Sequence, residues 1–247
     1  MPMGLGSSLM LGGAGSVPFQ PNSLGSALVA WWDPDQGITK NSVSNRVSAW
    51  VDRQSGFTVV QNSGGYQPLY VAAATEMNSR PSLYFDAQPV YLVVGSAPTA
   101  LRVQQQASTY LTISRGYKDH LGSSSTAPGS FLLMRYNQKV REHVWYTGSV
   151  LATQDGLTTL SNTTRALVGQ MSDGTKLYPI VNSGKDNTGA NCGVPTTPTA
   201  PFFIGWRGSS SAESFLGHMG DVLVFNRALT DAELLKIYQW AAFKWGI

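Results

Sequence analysis

The acidic residues are the first place to look for catalysis. Retaining hydrolysis of a sugar bond uses two carboxylates about 5 Å apart, a separation that alternate residues of one strand can supply because they share a face. The chain has four glutamates, Glu76, Glu142, Glu213 and Glu233, and no Glu-x-Asp-x-Glu run. The sequence therefore predicts no catalytic residues, and we expect a protein that is not an enzyme.

Asp33 and Asp35 stand two positions apart in the run WWDPDQG. A calcium ion takes six to eight oxygen ligands, and this run offers two carboxylates and some backbone carbonyls. The same Asp-Pro-Asp-x-Gly composition is typical of an ordinary turn. We expect a turn, with calcium at Asp33 and Asp35 as the alternative, and no other cofactor.

Aromatic side chains offer a different chemistry, the binding of sugars. A planar ring stacks on the apolar face of a pyranose while a few polar groups bind its hydroxyls. Most rings of a sandwich pack in its core, so the candidates are those that stand beside polar or loop-forming residues. These are Tyr117 in RGYKDH, Trp206 and Arg207 before GSSS, and His143 with Trp145 in KVREHVWY.

The histidines and the single cysteine suggest little further chemistry. His120, His143 and His218 are too dispersed for a zinc motif. The spacing His218-x-x-Asp221 hints at a hydrolase triad, but the chain has no Gly-x-Ser-x-Gly turn to present a nucleophilic serine. Cys192 has no second cysteine to pair with, which rules out an internal disulfide and a multi-cysteine metal cage.

The charges are sparse and mixed in sign. Seventeen basic residues face fourteen acidic ones, and charged residues make up 13% of the chain, about half the usual share. No Lys/Arg cluster could follow a phosphate backbone, and no apolar stretch approaches the roughly 18 residues that span a bilayer. The first residues lack the basic start of an export signal. We therefore expect neither nucleic acid nor a membrane as a partner.

Residues 1–24 form a segment of their own. Gly, Ser, Leu and Met are mixed there without a period as far as Pro18 and Pro21, and such a composition cannot bury enough apolar surface to offset its backbone entropy. Two interpretations stand: a flexible tail, or an N-terminal arm that orders against a neighbouring subunit through residues such as Leu9 and Phe19. Residues 25–247 form the second unit.

Short apolar runs separated by turn residues fill this second unit. They have the spacing of a β-sandwich, and no helices alternate with them, which favours an antiparallel two-sheet domain. The C-terminus differs, because Thr230 and Glu233 match a capping box and Leu234, Ile237 and Ala241 recur at helical spacing. A cap is worth ~1 kcal/mol, too little to hold a short helix alone, so we expect the helix to dock on the sandwich.

The same runs carry a family resemblance. FFIGWRGSS and FLGHMGDVLVFNRALTDAELLKIYQWAAFKWGI resemble the closing strands and terminal helix of the laminin-G-like, concanavalin A-like lectin/glucanase jelly rolls, and LVAWWDPDQG and NSRPSLYFD are similar to their opening strands. The resemblance covers most of residues 27–247. It implies an all-β, antiparallel two-sheet jelly-roll β-sandwich with a short C-terminal helix, and it implies little about function, because lectins, hydrolases and structural modules share this sandwich.

A glycine-rich arm before such a jelly roll is similar to the layout of bacteriophage virion proteins. We therefore predict a non-enzymatic virion protein, a head-decoration, fibre or tail-associated subunit, assembled in a reducing cytoplasm where disulfides have no use. Its expected partners are other virion proteins bound through the arm, further copies of itself, for example as a trimer, and host surface glycans. The alternatives are a carbohydrate-binding adhesion module of a bacterial protein, outside the cell or on its surface, and, third, a glycoside hydrolase.

Overall fold

The computed structural model describes residues 19–94, 101, 107–123, 131–145, 151–192, 201–206 and 214–247. Within these ranges the strands are β1 (Leu28–Trp32), β2 (Ile38–Lys40), β3 (Val47–Val51), β4 (Thr58–Val60), β5 (Leu69–Ala74), β6 (Arg80–Phe85), β7 (Leu92–Val94), β8 (Ser108–Gly122), β9 (Phe131–Tyr136), β10 (Lys139–Trp145), β11 (Leu151–Asp155), β12 (Ala166–Ser172), β13 (Lys176–Val181), β14 (Gly184–Lys185), β15 (Ala190–Asn191), β16 (Phe202–Ile204) and β17 (Leu216–Phe225). The helix α1 (Asp231–Trp245) follows, and 3₁₀ turns lie at Pro21–Ala27, Gly64–Tyr66 and Thr75–Met77.

The strands form two antiparallel sheets. In the first sheet, β17 pairs with β8 on one side and with β6 and β1 on the other, while β5 adds to β6 and β12 and β13 continue beyond β8. The second sheet has the order β2, β3, β4, β7, β16, β8, β9, β10, β11. The predicted antiparallel two-sheet sandwich is confirmed.

Strand β8 belongs to both sheets. Residues 108–117 pair with β12 and β17, and residues 118–122 pair with β9 and β16. The change of sheet falls at Gly116 and Lys118. Lys118 has a φ of 71°, and a Cβ on Gly116 would overlap the carbonyl oxygen of Leu216, so glycine is needed where the two strands approach this closely. The bend brings β6, β8 and β17 together at one place on the surface.

Aromatic side chains fill the space between the sheets. Trp32 stacks on Phe202 with ring centroids 5.6 Å apart, and Tyr110 stacks on Phe131 at 4.5 Å. All four residues are at most 1% exposed. Because each large ring buries about 150–250 Å², these rings dominate the stability of the core.

The helix α1 packs on the outer face of the first sheet, as predicted. Leu234 and Ile237 of the helix are fully buried in a second core that also contains Leu223 of β17. Trp240 of the helix meets Trp31 of β1 edge to face, with ring centroids 5.5 Å apart. Burial of this face supplies the stability that the helix lacks on its own.

The predicted capping box is present at the start of α1. The hydroxyl oxygen of Thr230 accepts from the backbone amide of Glu233, and the Glu233 carboxylate accepts from the amide of Thr230. Arg227 adds an ion pair, with its Nη2 2.7 Å from Oε1 of Glu233. The hydrogen bond from Arg227, followed by those from Thr230, outweighs partial burial and lowers the pKa of Glu233 to about 2.

The predicted arm is described only in part. Residues 1–18 lie outside the described residues. Phe19 and Leu24 pack against the second core beneath α1, and Pro21 is buried at the start of its 3₁₀ turn. The last residues of this segment are therefore part of the packed domain.

Candidate functional site

A groove opens where β6, β8 and β17 meet, beside the bend of β8. Its volume is about 380 Å³, and its walls include the predicted ligand residue Tyr117. We expected Tyr117 in a loop, but it lies within β8 and pairs with Leu216 of β17, because the strand continues through its change of sheet. The other lining residues with polar functional groups are Glu76, Tyr84, Asp86, Arg115, Asn162 and His218. We call this site the Tyr117 groove.

The histidine of the Tyr117 groove is held by three neighbours. The His218 ring stacks on Tyr84 with centroids 4.5 Å apart. Its Nδ1 lies 3.0 Å from the hydroxyl oxygen of Ser82, and its Nε2 lies 4.0 Å from Oε2 of Glu76. Burial lowers the pKa of His218, although the charge of Glu76 opposes the shift. His218 is therefore neutral at pH 7 and acts as a hydrogen-bonding ring.

The catalytic triad that the spacing of His218 and Asp221 suggested is not formed, because His218 lies in the groove and Asp221 lies elsewhere. Asp221 lies beneath α1, where it accepts from the indole nitrogen of Trp31 at 2.6 Å. The serine that His218 contacts, Ser82, is fully buried. A nucleophilic hydroxyl must reach the substrate, so this serine–histidine pair is structural.

A buried arginine positions two walls of the Tyr117 groove. Arg135 of β9 is 2% exposed and donates to the carbonyl oxygens of Gly116 at 2.9 Å, Ser161 at 3.2 Å and Thr164 at 3.3 Å. It thus ties the bend of β8 to the loop that carries Asn162. Burial lowers the pKa of Arg135 only to about 10, so the guanidinium stays charged at neutral pH.

The charged groups at the edge of the groove are partly compensated. Arg46 binds the Asp86 carboxylate through both terminal nitrogens, at 2.8 and 2.7 Å, and Nε of Arg115 donates to the carbonyl of Thr163 at 2.8 Å. A hydrogen bond from its own backbone amide, followed by one from Thr75, lowers the pKa of Glu76. Hydrogen-bond donors and acceptors around a tyrosine ring suit the hydroxyl groups of a sugar.

The second predicted aromatic residue, Trp206, lies in a different place. Its ring centroid is 4.6 Å from that of Tyr91 and 5.2 Å from that of Phe203, and Tyr66 stacks on Tyr91 at 6.3 Å. Tyr66 is 44% exposed, so this aromatic cluster reaches the surface beside β7 and β16. Trp206 therefore lies in this aromatic cluster, whereas Tyr117 lines the Tyr117 groove.

The other predicted ligand residues fall wholly or partly outside the described residues. Arg207 lies outside them. His143 and Trp145 lie in β10, where His143 pairs with Leu132 and Thr153 and Trp145 pairs with Leu151, and the side chains of His143 and Trp145 are not among those described.

Asp33 and Asp35 line a second cleft, between the β1–β2 turn and α1. Asp33 is 4% exposed and contacts Nζ of Lys244 at 2.8 Å and Nη1 of Arg53 at 2.8 Å, while Asp35 lies 3.1 Å from the same lysine nitrogen. Burial opposes ionisation of Asp33, but Lys244, with Arg53 assisting, lowers its pKa overall. Calcium at Asp33 and Asp35 stays a prediction, and it would have to displace the Lys244 ammonium.

No cluster of three or more potential metal ligands occurs among the residues that the structure describes. The turn that the sequence predicts at Asp33 is present, since the amide of Asp35 donates to the Asp33 carboxylate at 3.0 Å and the amide of Gln36 donates to the Asp33 carbonyl at 3.0 Å.

The sequence analysis missed the charged group beneath α1. Asp221 is fully buried and accepts from the indole nitrogens of Trp31 and Trp245, at 2.6 and 2.7 Å, with Lys244 Nζ 3.1 Å away. Burial raises the pKa of Asp221 to about 6, against the opposing charge of Lys244. An aspartate inside the apolar run MGDVLVF was the available signal, because a buried carboxylate needs a partner.

The fold is that of a lectin-like jelly roll. Residues 102–235, more than half of the chain, match the family model described as the concanavalin A-like lectin/glucanases superfamily. The chain belongs to this superfamily. No helix within the described ranges has the length and apolar character required to cross a membrane.

Several solved structures share the fold. A Trypanosoma rangeli sialidase in complex with 2,3-difluorosialic acid has a TM-score of 0.57 and 16% identity, with 86% of this chain and 33% of the sialidase covered. The binding domain of Paraclostridial Mosquitocidal Protein 1 has a TM-score of 0.60 and 10% identity, covering 86% of this chain and 52% of that one. The CBM40 of a Ruminococcus gnavus IT-sialidase, bound to α2,3-sialyllactose, has a TM-score of 0.51 and 16% identity, covering 64% of this chain and 96% of that one.

The likeness to these structures concerns the fold. The chain spans about a third of the length of the sialidases that it matches. Sequence identities of 10 to 16% say nothing of shared site residues. A search of curated protein sequences finds no match.

Proposed function

We propose that this protein is a non-enzymatic carbohydrate-binding module whose ligand lies in the Tyr117 groove. The observation that carries the proposal is the groove itself, in which Tyr117 and a set of carboxylate, guanidinium, amide and imidazole groups line about 380 Å³. A ring for the apolar face of a sugar and fixed polar groups for its hydroxyls are the two things that sugar recognition requires.

The rigidity of the groove supports this proposal. Arg135 holds the bend of β8 and the loop that carries Asn162 through hydrogen bonds to the carbonyls of Gly116 and Ser161. Arg46 holds Asp86 through an ion pair. Groups that are held in place before binding lose less conformational entropy when a ligand arrives. A similar fold in a CBM40 bound to α2,3-sialyllactose is consistent with a carbohydrate ligand.

The absence of enzymatic activity is part of the proposal. In the described part of the chain both serines that contact a histidine, Ser82 and Ser114, are buried. Asp33, Asp86 and Glu233 are held in ion pairs. A general acid or nucleophile needs a carboxylate that faces the scissile bond at the right separation.

The test is binding to a broad glycan array followed by titration of any hit. Tyr117→Ala should weaken binding about tenfold, since ring contacts of this kind contribute around 1 kcal/mol or more. Tyr136→Ala is the matched control, because Tyr136 is 46% exposed and does not line the groove. Trp206→Ala tests the aromatic cluster beside β7 and β16 as the rival site.

Two results would contradict the proposed ligand and its site, and a third would contradict the absence of enzymatic activity. The first is silence of the protein across the array. The second is an affinity that Tyr117→Ala leaves unchanged while Trp206→Ala abolishes it, which would move the site to the aromatic cluster. Turnover of a β-glucan, lost on substitution of one Asp or Glu, would contradict the non-enzymatic part.

We propose further that the module is displayed on a bacteriophage particle, through an arm formed by the N-terminal residues. Support comes from the glycine-rich composition of residues 1–24, the low content of charge, and a single cysteine, which together suit a subunit assembled in a reducing cytoplasm. The partners would be other virion proteins and further copies of the chain, with a trimer as one arrangement.

The virion proposal is tested by deletion of the arm. Because Phe19 packs against the second core, the deletion should stop at residue 18. The shortened protein should keep the thermal transition of the full chain and lose its incorporation into particles. Equal incorporation of the shortened and full-length proteins would count against an attachment role.

A further inference from the structure

The cleft that holds Asp33 and Asp35 has a volume of about 490 Å³ and is separate from the Tyr117 groove. One wall is the exposed side of α1, with Lys236, Gln239 and Phe243, and Arg80 at the start of β6 also lines it. Neither the capping of the helix nor the packing of the sandwich requires these residues. The cleft is therefore a candidate for a second ligand.

The charges of the cleft do not cancel. Asp33 and Asp35 have countercharges in Arg53 and Lys244, at 2.8 to 3.1 Å. Arg80 and Lys236, by contrast, are exposed, and the cleft lining contains no further carboxylate to pair with them. Lys244 also contacts the buried Asp221 carboxylate, at 3.1 Å, so four cations meet three carboxylates and one net positive charge remains. Arg80 and Lys236 are the two cations without a carboxylate in the lining, and they favour an anionic ligand.

The same cleft offers an apolar surface beside these cations. Phe243 lines the cleft and is 80% exposed, so its ring is open to a ligand. The edges of Trp31 and Trp240 lie further inside, where Trp240 is 6% exposed. Gln239 adds an amide group to the lining.

We propose that this cleft binds a small anion that carries its carboxylate or phosphate on a ring with an apolar face. Arg80 and Lys236 bind the anionic group, and Phe243 packs against the ring. Arginine binds carboxylate and phosphate through two parallel hydrogen bonds, while lysine supplies a point charge, so both forms of the anion fit. The inference concerns a different site and does not depend on the proposed function of the Tyr117 groove.

The test is a titration of the full chain, followed through the indole N–H signals of Trp31 and Trp240 in NMR spectra. The probes are glucuronate, glucose 6-phosphate, glucose and inorganic phosphate. We expect the two ring-bearing anions to bind with millimolar affinity, more tightly than glucose or inorganic phosphate, and to bind less tightly as salt rises because exposed charges are screened. Whichever of the two binds better identifies the anionic group.

Variants locate the site. Arg80→Ala and Lys236→Ala should each weaken binding about tenfold, the usual effect of losing one charge-assisted contact, and Phe243→Ala should remove the preference for ring-bearing anions over inorganic phosphate. Lys176→Ala, which removes a positive charge outside the cleft, and Tyr117→Ala should change nothing. All these side chains except that of Tyr117 lie outside the groove, so a failure here is distinguishable from a failure there.

Three outcomes would overturn the inference. The first is that none of the four probes perturbs the indole signals. The second is an equal affinity for glucose and for glucuronate, which would leave no role for the two cations. The third is an equal loss of affinity in Lys176→Ala and Lys236→Ala, which would mean attraction by the net charge of the protein and not by this cleft.

Discussion

The buried ion pair between Lys244 and Asp221 makes a quantitative prediction about stability and pH. A pKa of about 6 in place of 3.8 for Asp221 means that folding favours its protonated form over its charged form by roughly 3 kcal/mol. The folded state therefore binds a proton more tightly than the unfolded state does. Between pH 6 and 4 the contribution of Asp221 to the free energy of unfolding should rise as the pH falls.

Below about pH 4 the trend should reverse. The pKa of Asp33 is lowered in the folded state by Lys244 and Arg53, against the effect of burial, so its contribution to stability is present above its unfolded pKa and is lost as the pH falls through its folded pKa. The combined contribution of Asp33 and Asp221 to the free energy of unfolding should therefore be largest at about pH 4 to 5.

Substitution of Lys244 by Met tests this reasoning. Breaking a buried ion pair costs about 3–5 kcal/mol, and we expect the lower end at pH 8, because Arg53 still neutralises Asp33 and two indole groups still donate to Asp221. At pH 5 a proton on Asp221 replaces the missing ammonium, so the cost should fall to about 1 kcal/mol. Urea unfolding of both proteins at the two pH values measures the difference.

Lys236→Met is the matched control for that experiment. Lys236 is exposed on the same helix, so its substitution should change stability by less than about 0.5 kcal/mol at either pH. A cost of Lys244→Met below about 1 kcal/mol at pH 8 would show that the buried pair contributes little. An equal cost at pH 5 and pH 8 would show that Asp221 does not take up the proton.

Two further predictions concern the fold. Thr230→Ala should lower the free energy of unfolding by about 1 kcal/mol, because the helix cap is lost, and thermal unfolding measures this change. Glycan affinity, measured by titration, should stay the same. A loss of binding would mean that α1 contributes to the site. Gly205→Ala should cost about 2–5 kcal/mol, because Gly205 has a φ of 87° and a Cβ there would overlap the ring of Phe85. Gly56→Ala is the control, because Gly56 has a φ of 77° and no atom lies within 4 Å of the added Cβ. Its free-energy cost should come from backbone strain alone. Equal costs for Gly205→Ala and Gly56→Ala would argue against the overlap with Phe85.

The fold was readable from the sequence because its signals are local. Apolar runs between turn residues marked the strands, and the capping box at Thr230 and Glu233 with its apolar face marked α1. The sequence analysis did not foresee that β8 continues through Tyr117, since the change of sheet depends on how closely Gly116 and Leu216 approach one another, a contact between residues far apart in the chain.

The candidate site was harder to predict for the same reason. The sequence singled out Tyr117 as a ligand residue, and Tyr117 lines a groove. That groove also needs β6 and β17 beside it, and Tyr84 carried no motif, while His218 was noted only for its spacing to Asp221. The pairing of Lys244 with Asp33 joins residues 211 positions apart. Periodicity and spacing describe residues that are neighbours along the chain, so they do not predict contacts between residues that are far apart in sequence.

The cleft beside α1 also determines how the domain could be joined to other proteins. Phe19, where the described chain begins to pack, and Phe243, near the end of α1, line the same cleft, so the first and last packed segments of the described domain lie close together. A host protein could therefore carry it as an insertion between two neighbouring residues of a surface loop, with short linkers and little distortion of the host.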